Sequence, residues 1–176
     1  MSGATLRNLL DTARTAQQRG DTAAAERAYR AMLDADPGNA QAANSLGIIA
    51  MDRGDLAEAE ALFLKAVAAD PKESALWMNV AKARRLKGDD EGERQSLESA
   101  LALDQRNFMA LLRKAELHER LGEPGGAVAA WRAVMALAAQ AESIPVALKE
   151  RIDHARNYVA GQVAAFDMHL EAALEP

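Results

Sequence analysis

The chain contains few side chains of the kinds that carry out catalysis or bind metals. Its three histidines are His118, His154 and His169, and it has no cysteine. Catalysis needs nucleophiles, bases or metal ligands that converge on one point. His154 and His169 fall about four helical turns apart, so they share a helix face but cannot share one metal ion. We therefore expect no catalytic site, no metal and no cofactor in this chain.

The arrangement of acids around the histidines does not change this expectation. Asp153 precedes His154, and Asp167 lies two residues before His169. On a charged amphipathic helix such neighbours are ordinarily solvated, and a zinc site needs three or four ligands. His118 is interpreted as a packed or partly exposed structural residue. The sequence also contains no phosphate-binding loop and no Ser/His/Asp arrangement with a sheet to display it.

Composition limits the class of protein. The 176 residues are 49% hydrophobic but only 4% aromatic, and the many alanines suit closely packed helices in a single domain. The net charge of −5 and the scarcity of aromatic residues disfavour nucleic-acid binding. The N-terminal residues lack a signal-peptide pattern, and no apolar run approaches membrane-spanning length. We expect a soluble, cytoplasmic protein that does not insert in a membrane.

Glycines mark an internal repeat of 34 residues. Each repeat glycine is followed by an acidic residue, which indicates a helix that ends at glycine and a second helix that begins with an acidic cap. The four positions are Gly20, Gly54, Gly88 and Gly122. This spacing predicts four helix-turn-helix hairpins.

Packing residues recur with the same period. A small residue stands one turn before a large aromatic in the second helix of three hairpins, where the small residue admits a neighbouring helix. These pairs are Ala25 and Tyr29, Ala59 and Phe63, and Ala127 and Trp131. Asp36-Pro37 and Asp70-Pro71 then close the first two repeats, because the residue before proline is disfavoured in a helix.

These residues resemble the tetratricopeptide-repeat (TPR) family, whose pattern includes Leu-Gly, Ala-x3-Phe and Pro at fixed positions. The second repeat matches best, with Leu46-Gly47, Ala59, Phe63 and Pro71. The later repeats depart from the pattern, in the third at Glu93, Leu97 and Gln105 and in the fourth at Ala139. The resemblance implies an all-α, right-handed solenoid. Its four repeats span 6–39, 40–73, 74–107 and 108–141, and residues 142–176 form a capping helix of the same domain.

The C-terminal segment has one apolar stripe of its own. Ser143-Ile144-Pro145 is typical of a helix start, and apolar residues follow at spacings of three, four and seven. The stripe comprises Leu148, Ile152, Val159, Val163, Phe166 and Leu170. Because the last repeat of a solenoid exposes an apolar face, this helix is expected to cover it.

The resemblance also implies a binding surface. In this family the first helices of the repeats line a concave groove, and here the first helices carry net positive charge while the second helices carry net negative charge. That bias fits either recognition of an acidic partner or the ordinary preference of basic residues for helix C-termini. The residues at the family's binding positions are Arg14, Asn44, Ile48, Met51, Met78, Asn79, Lys82, Arg85, Met109, Leu112 and Arg113.

The first functional hypothesis is a non-enzymatic scaffold that binds a protein or peptide in this groove, with an acidic or C-terminal carboxylate-bearing segment as ligand. Some family members clamp a terminal carboxylate, but Ile48 and Met109 replace the Asn and Lys of that clamp. The alternative is the N-terminal regulatory or targeting region of an enzyme. Repeats followed by Pro145-Val146-Ala147-Leu148, His154-Ala155 and Val159 resemble that region in bacterial aspartyl/asparaginyl β-hydroxylase-like proteins, whose Fe(II)/2-oxoglutarate catalytic domain this chain lacks.

Overall fold

The turn between the two helices of each repeat depends on a left-handed glycine. In a computed structural model of the chain, which describes residues 3–174 and the side chains of 5–166 and 168, Gly20, Gly54, Gly88 and Gly122 have φ angles of 68 to 87°. The residue after each glycine donates its backbone N–H to a carbonyl five residues earlier, at 2.9 Å. This bond satisfies one of the carbonyls left open where the first helix ends.

The described residues form nine α-helices and no strand, which confirms the predicted all-α repeat fold. The first eight form four hairpins of successive pairs, and α9 follows them. The helices are α1 Gly3–Gln18, α2 Thr22–Ala35, α3 Ala40–Asp52, α4 Leu56–Ala69, α5 Ser74–Lys87, α6 Asp90–Leu103, α7 Phe108–Arg120, α8 Pro124–Ala138 and α9 Val146–Leu174.

Acidic side chains begin the second helix in three repeats. Asp21, Asp55 and Asp89 each accept a hydrogen bond from the backbone N–H three residues later, at 2.9 to 3.2 Å. Such caps typically contribute about 1 kcal/mol each. Glu123 makes no cap bond to α8, which begins with Pro124, and its carboxylate lies 2.5 Å from Nδ1 of His118 instead.

The chain forms two compact units, residues 1–103 and 104–176. In the first unit, the second helix of each of the three hairpins buries alanine and one or two larger apolar residues. Phe63 is fully buried and packs over Gly47, where an added Cβ would lie 2.6 Å from the ring. The absence of a side chain at residue 47 thus allows α3 and α4 to approach closely. That all the repeats form a single domain stays a prediction.

In the second unit, α9 covers the apolar side of the last repeat. Ile152 and Ala155 are buried, and Ala155 shares a core cluster with Leu112 and Trp131. The expected apolar stripe continues beyond this cluster, but Val163 and Phe166 are exposed, and the side chain of Leu170 lies outside the described residues. Only the first half of α9 therefore acts as a cap in the described structure.

None of the helices in the described part of the chain has both the length and the apolar character needed to cross a membrane.

Candidate binding surface

The residues predicted to line a groove divide between the two units. Those from Arg14 to Arg85 lie on α1, α3 and α5 of the first unit, and Met109, Leu112 and Arg113 lie on α7 of the second. We describe each set by itself. We call the surface formed by Arg14, Asn44, Ile48, Met78, Asn79, Lys82 and Arg85 the first-helix surface.

An asparagine pair lies at the centre of the first-helix surface. Asn79 Nδ2 on α5 donates to Asn44 Oδ1 on α3 at 2.7 Å, and both residues are half-buried. Neither has another partner among the described residues, and no buried side-chain polar atom there lacks one. Both amide hydrogens of Asn44, the second amide hydrogen of Asn79 and the carbonyl of Asn79 therefore face solvent. The pair presents amide donors and the Asn79 carbonyl acceptor to a ligand.

Apolar and basic side chains lie one helical turn from this pair. Ile48 follows Asn44 by four residues, and Lys82 follows Asn79 by three, so each shares a helix face with its asparagine. Ile48, Lys82 and Arg14 are exposed, and Met78 is half-buried. Neither Arg14 nor Lys82 has an ion-pair or hydrogen-bond partner in the described part of the chain.

Two of the four basic residues of α5 are held by an acid instead. Arg84 Nε and Lys87 Nζ lie 2.7 and 2.5 Å from the carboxylate of Glu60 on α4. The hydrogen bonds from Lys87 and then Arg84 lower the pKa of Glu60. Arg84 also donates to Ser96 Oγ on α6 at 3.0 Å. Arg84 and Lys87 thus link α5 to its neighbours and do not contribute to a free positive surface. The other two basic residues of α5, Lys82 and Arg85, are exposed.

Met51 is a core residue and not part of the exposed surface. It is buried in the same cluster as Phe63, the large residue of the same hairpin. The equivalent position in the first repeat is Gln17, whose Oε1 accepts from the hydroxyl of Tyr29 at 2.8 Å. A polar Gln17 thus accompanies the tyrosine hydroxyl in the first repeat, and an apolar Met51 accompanies the apolar ring of Phe63 in the second. Comparing these two repeat positions in the sequence would have indicated that Met51 is buried.

Leu112, a predicted binding residue of the second unit, is also not on the exposed surface. Leu112 is fully buried, whereas Met109 is exposed. Arg113 is half-buried and pairs with Glu116 at 3.3 Å, and Arg151 on α9 lies 3.5 Å from the same carboxylate. Glu116 was not among the predicted site residues, although it occupies the repeat position of Arg14, Ile48 and Lys82. Arg113 and Arg151 thus both pair with Glu116, whereas Lys82 has no ion-pair partner among the described residues.

A second glutamate connects α7, α8 and α9. Glu119 accepts a hydrogen bond from the indole N–H of Trp131, and its carboxylate lies 3.0 Å from Nε2 of His154. The imidazole of His154 stands edge-on to Trp131, with ring centroids 5.5 Å apart. Burial of Tyr158, and next the charge of Glu119, raise the pKa of the Tyr158 phenol. These contacts hold the first half of α9 in place.

The geometry around the histidines suits packing. His118 is buried with its ring against Gly126, where a Cβ would come within 2.4 Å of Nδ1. His169 lies outside the residues whose side chains are described. Within the described residues, no group of three His, Asp, Glu or Cys side chains is arranged to hold a metal ion.

Comparison with known proteins identifies the family. A family model described as tetratricopeptide repeat matches residues 10–74 and 45–107, which together span more than half of the chain. The chain therefore belongs to the tetratricopeptide-repeat family. The fourth hairpin lies outside these matches. No curated protein matches the chain.

Solved structures share this fold. The crystal structure of MamA protein has a TM-score of 0.74 at 24% identity, covering 99% of this chain and 98% of that one. The first TPR of Spaghetti (RPAP3), bound to the HSP90 peptide SRMEEVD, has a TM-score of 0.63 at 20% identity, covering 69% and 99%. PcrH, in complex with the chaperone binding region of PopD, has a TM-score of 0.59 at 21% identity, covering 71% and 91%.

Proposed function

We propose that this chain is a non-enzymatic scaffold whose first-helix surface binds an extended, acidic segment of a protein partner. The observation that carries the proposal is the Asn44–Asn79 hydrogen bond, which joins two neighbouring first helices and leaves the amide group of Asn44 open as a donor and the carbonyl of Asn79 open as an acceptor.

That arrangement complements a peptide bond. An amide hydrogen of Asn44 can donate to a backbone carbonyl, while the open carbonyl of Asn79 can accept from a backbone N–H. An extended segment exposes these groups because it makes no hydrogen bonds within itself. Ile48 and Met78 beside the pair provide apolar contact for one side chain of the segment.

The charge around the pair favours an acidic segment. The α5 helix contains no acidic residue, and Lys82 has no partner among the described residues. Arg14 presents a second such cation on α1. Unpaired cations on one surface raise the local concentration of an anionic partner and speed its association.

Proteins with this fold support the proposal that the chain binds a peptide or protein segment. Two solved structures with this fold hold a peptide or part of a partner protein, and the peptide on RPAP3 contains the acidic run EEVD. A terminal carboxylate is a less suitable anchor here, because Ile48 and Met109 bring no donor. We therefore favour acidic side chains within a segment over a free C-terminus.

The test is a binding titration with labelled peptides measured by fluorescence anisotropy. A library of acidic peptides, each made with a free and an amidated C-terminus, is titrated at low and high salt. Binding should weaken as salt rises, since a Debye length of about 8 to 10 Å screens exposed charges. Amidation should have little effect.

Two double variants locate the site. Lys82→Ala with Arg85→Ala should weaken binding by up to about 2 kcal/mol, roughly thirtyfold in Kd, mainly through slower association. Lys65→Ala with Lys72→Ala removes two exposed charges outside the first helices and should leave Kd unchanged. Equal effects of the two double variants would refute a specific surface. Binding that is insensitive to salt would refute its electrostatic character.

The enzyme-region alternative stays a prediction. It would require a catalytic domain encoded beyond this chain, and the length of the open reading frame tests it directly. A cytoplasmic location likewise stays a prediction.

A further inference from the structure

The turn between α8 and α9 is longer than the three other turns that join successive hairpins. Those turns are four residues long, at 36–39, 70–73 and 104–107, whereas residues 139–145 form a turn of seven. The helix α9 begins 38 residues after α7, although α3, α5 and α7 begin at intervals of 34. Insertions in repeat proteins fall in loops, often on a face that binds a ligand. The long turn is therefore a candidate binding region.

A cavity of about 370 Å³ lies beside this turn. Its volume falls within the range of small-molecule sites, which is about 300 to 1,000 Å³. Eight of its ten lining residues are apolar, and all ten belong to the second unit. The larger apolar ones come from the start of α7, the end of α8, the long turn and the first half of α9: Phe108, Leu137, Ile144, Leu148 and Ile152. Such a lining favours a ligand with an apolar body, because binding removes apolar surface from water.

One cation lines the cavity, and no acid in the described part of the chain neutralises it. Nη2 of Arg106 donates to Oε1 of Gln140, on the long turn, at 2.6 Å. Gln140 is neutral, and the guanidinium of Arg106 forms no ion pair with a described residue. Glu142, the acid of the long turn, does not line the cavity and has no partner among these residues. Arginine binds carboxylates through paired, charge-assisted hydrogen bonds, so the cavity suits an anionic head group.

We propose that this cavity binds a small carboxylic acid with an apolar body, its carboxylate on Arg106 and its body against Leu137, Leu148 and Ile152. A single arginine balances a single negative charge, so a carboxylate fits better than a doubly charged phosphate. The hydroxyl of Ser143, the other polar residue of the lining, can donate to the same carboxylate. This site lies in the second unit and goes beyond the proposed peptide binding, which uses the first unit.

Nuclear magnetic resonance of the full chain with labelled methyl groups tests the ligand class. The probes are octanoate, octanol and octylammonium, which share one alkyl chain and differ in the charge of the head group, each kept below the concentration at which it forms micelles. Octanoate should shift the methyl resonances of Leu137, Ile144, Leu148 and Ile152. Octanol should bind more weakly, because it has no charge to pair with Arg106. Octylammonium should bind most weakly, since like charges repel.

Three variants locate the site. Arg106→Gln should raise the Kd of octanoate by about threefold to tenfold and leave the Kd of octanol unchanged. Arg132→Gln is the matched control, because Arg132 is an exposed arginine of α8 that does not line the cavity, and its Kd values should equal those of the unchanged chain. Ala141→Trp places a large ring at the cavity and should abolish binding of both probes. Circular dichroism checks that the variants keep their helical content.

Four results would overturn the proposal. They are no methyl shift with octanoate, octylammonium binding as tightly as octanoate, an equal rise in Kd for Arg106→Gln and Arg132→Gln, and unchanged octanoate binding by Ala141→Trp.

Discussion

Phe63 packs closely against Gly47. We therefore expect Gly47→Ala to lower the free energy of unfolding when the Phe63 ring is present and to raise it when the ring is absent. Alanine is favoured over glycine in a helix by about 1 kcal/mol. At residue 47, however, an added Cβ would lie 2.6 Å from both Cδ1 and Cε1 of Phe63, about 1 Å closer than ordinary carbon contacts. Phe63 is fully buried, so its ring has little room to move. Overpacking typically costs about 1 to 3 kcal/mol, and a contact this close should cost about 2 to 3 kcal/mol.

We therefore expect Gly47→Ala to destabilise the protein by about 1 to 2 kcal/mol. Phe63→Ala alone should cost about 3 to 5 kcal/mol, through lost transfer energy and a cavity. Once the ring is absent, Gly47→Ala should stabilise the protein by up to about 1 kcal/mol, because the clash is gone and the helix preference remains. The two changes should then couple by about 2 to 3 kcal/mol.

Urea unfolding followed by far-ultraviolet circular dichroism gives the free energies of the four proteins in this cycle. Gly125→Ala is the control, since a Cβ on Gly125 meets nothing within 4 Å and should not destabilise. The reasoning is refuted if Gly47→Ala is neutral or stabilising in the wild-type background. It is equally refuted if its cost is the same with and without the Phe63 ring.

Two further predictions concern the last helix and the pH dependence of stability. Deleting residues 144–176 should uncover the apolar cluster around Trp131, lower the melting temperature and promote aggregation; a calorimetric scan with light scattering checks this, and an unchanged melting temperature would contradict it. Because the native pKa of Glu60 is below its ordinary value of 4.5, its ion pairs stabilise the fold above that pH and are lost as pH falls through the native pKa. Glu60→Gln should therefore destabilise at neutral pH and less so near pH 3, by urea unfolding, and an equal loss at both pH values would argue against this role.

The repeat fold could be predicted from sequence because its signals are local and periodic. Gly20 and its equivalents end helices by their own conformational preference, and Asp21 caps the next helix through atoms three residues away. Phe63 and Trp131 are buried because their repeat position faces the core in every hairpin. None of these inferences needs knowledge of a distant side chain.

The candidate surface was less predictable because it depends on pairs of side chains from different helices. Met51 has the spacing of a groove residue, but the apolar ring of Phe63 brings it into the core. In the sequence Arg84 and Lys87 add to the positive charge of the first helices, but both form ion pairs with Glu60 on the preceding helix. The periodic apolar pattern of α9 likewise does not reveal that only its first half is buried, whereas Val163 and Phe166 are exposed.

Nuclear magnetic resonance of the isotope-labelled chain tests the central claim most directly. The side-chain amide resonances of Asn44 and Asn79 report on the two groups proposed to bind a peptide backbone. Titration with an acidic peptide should shift these resonances and the backbone resonances around Lys82, with smaller changes on the second helices α2, α4 and α6. Shifts confined to the second helices, or unchanged Asn44 and Asn79 amides at saturating peptide, would contradict binding at the first-helix surface.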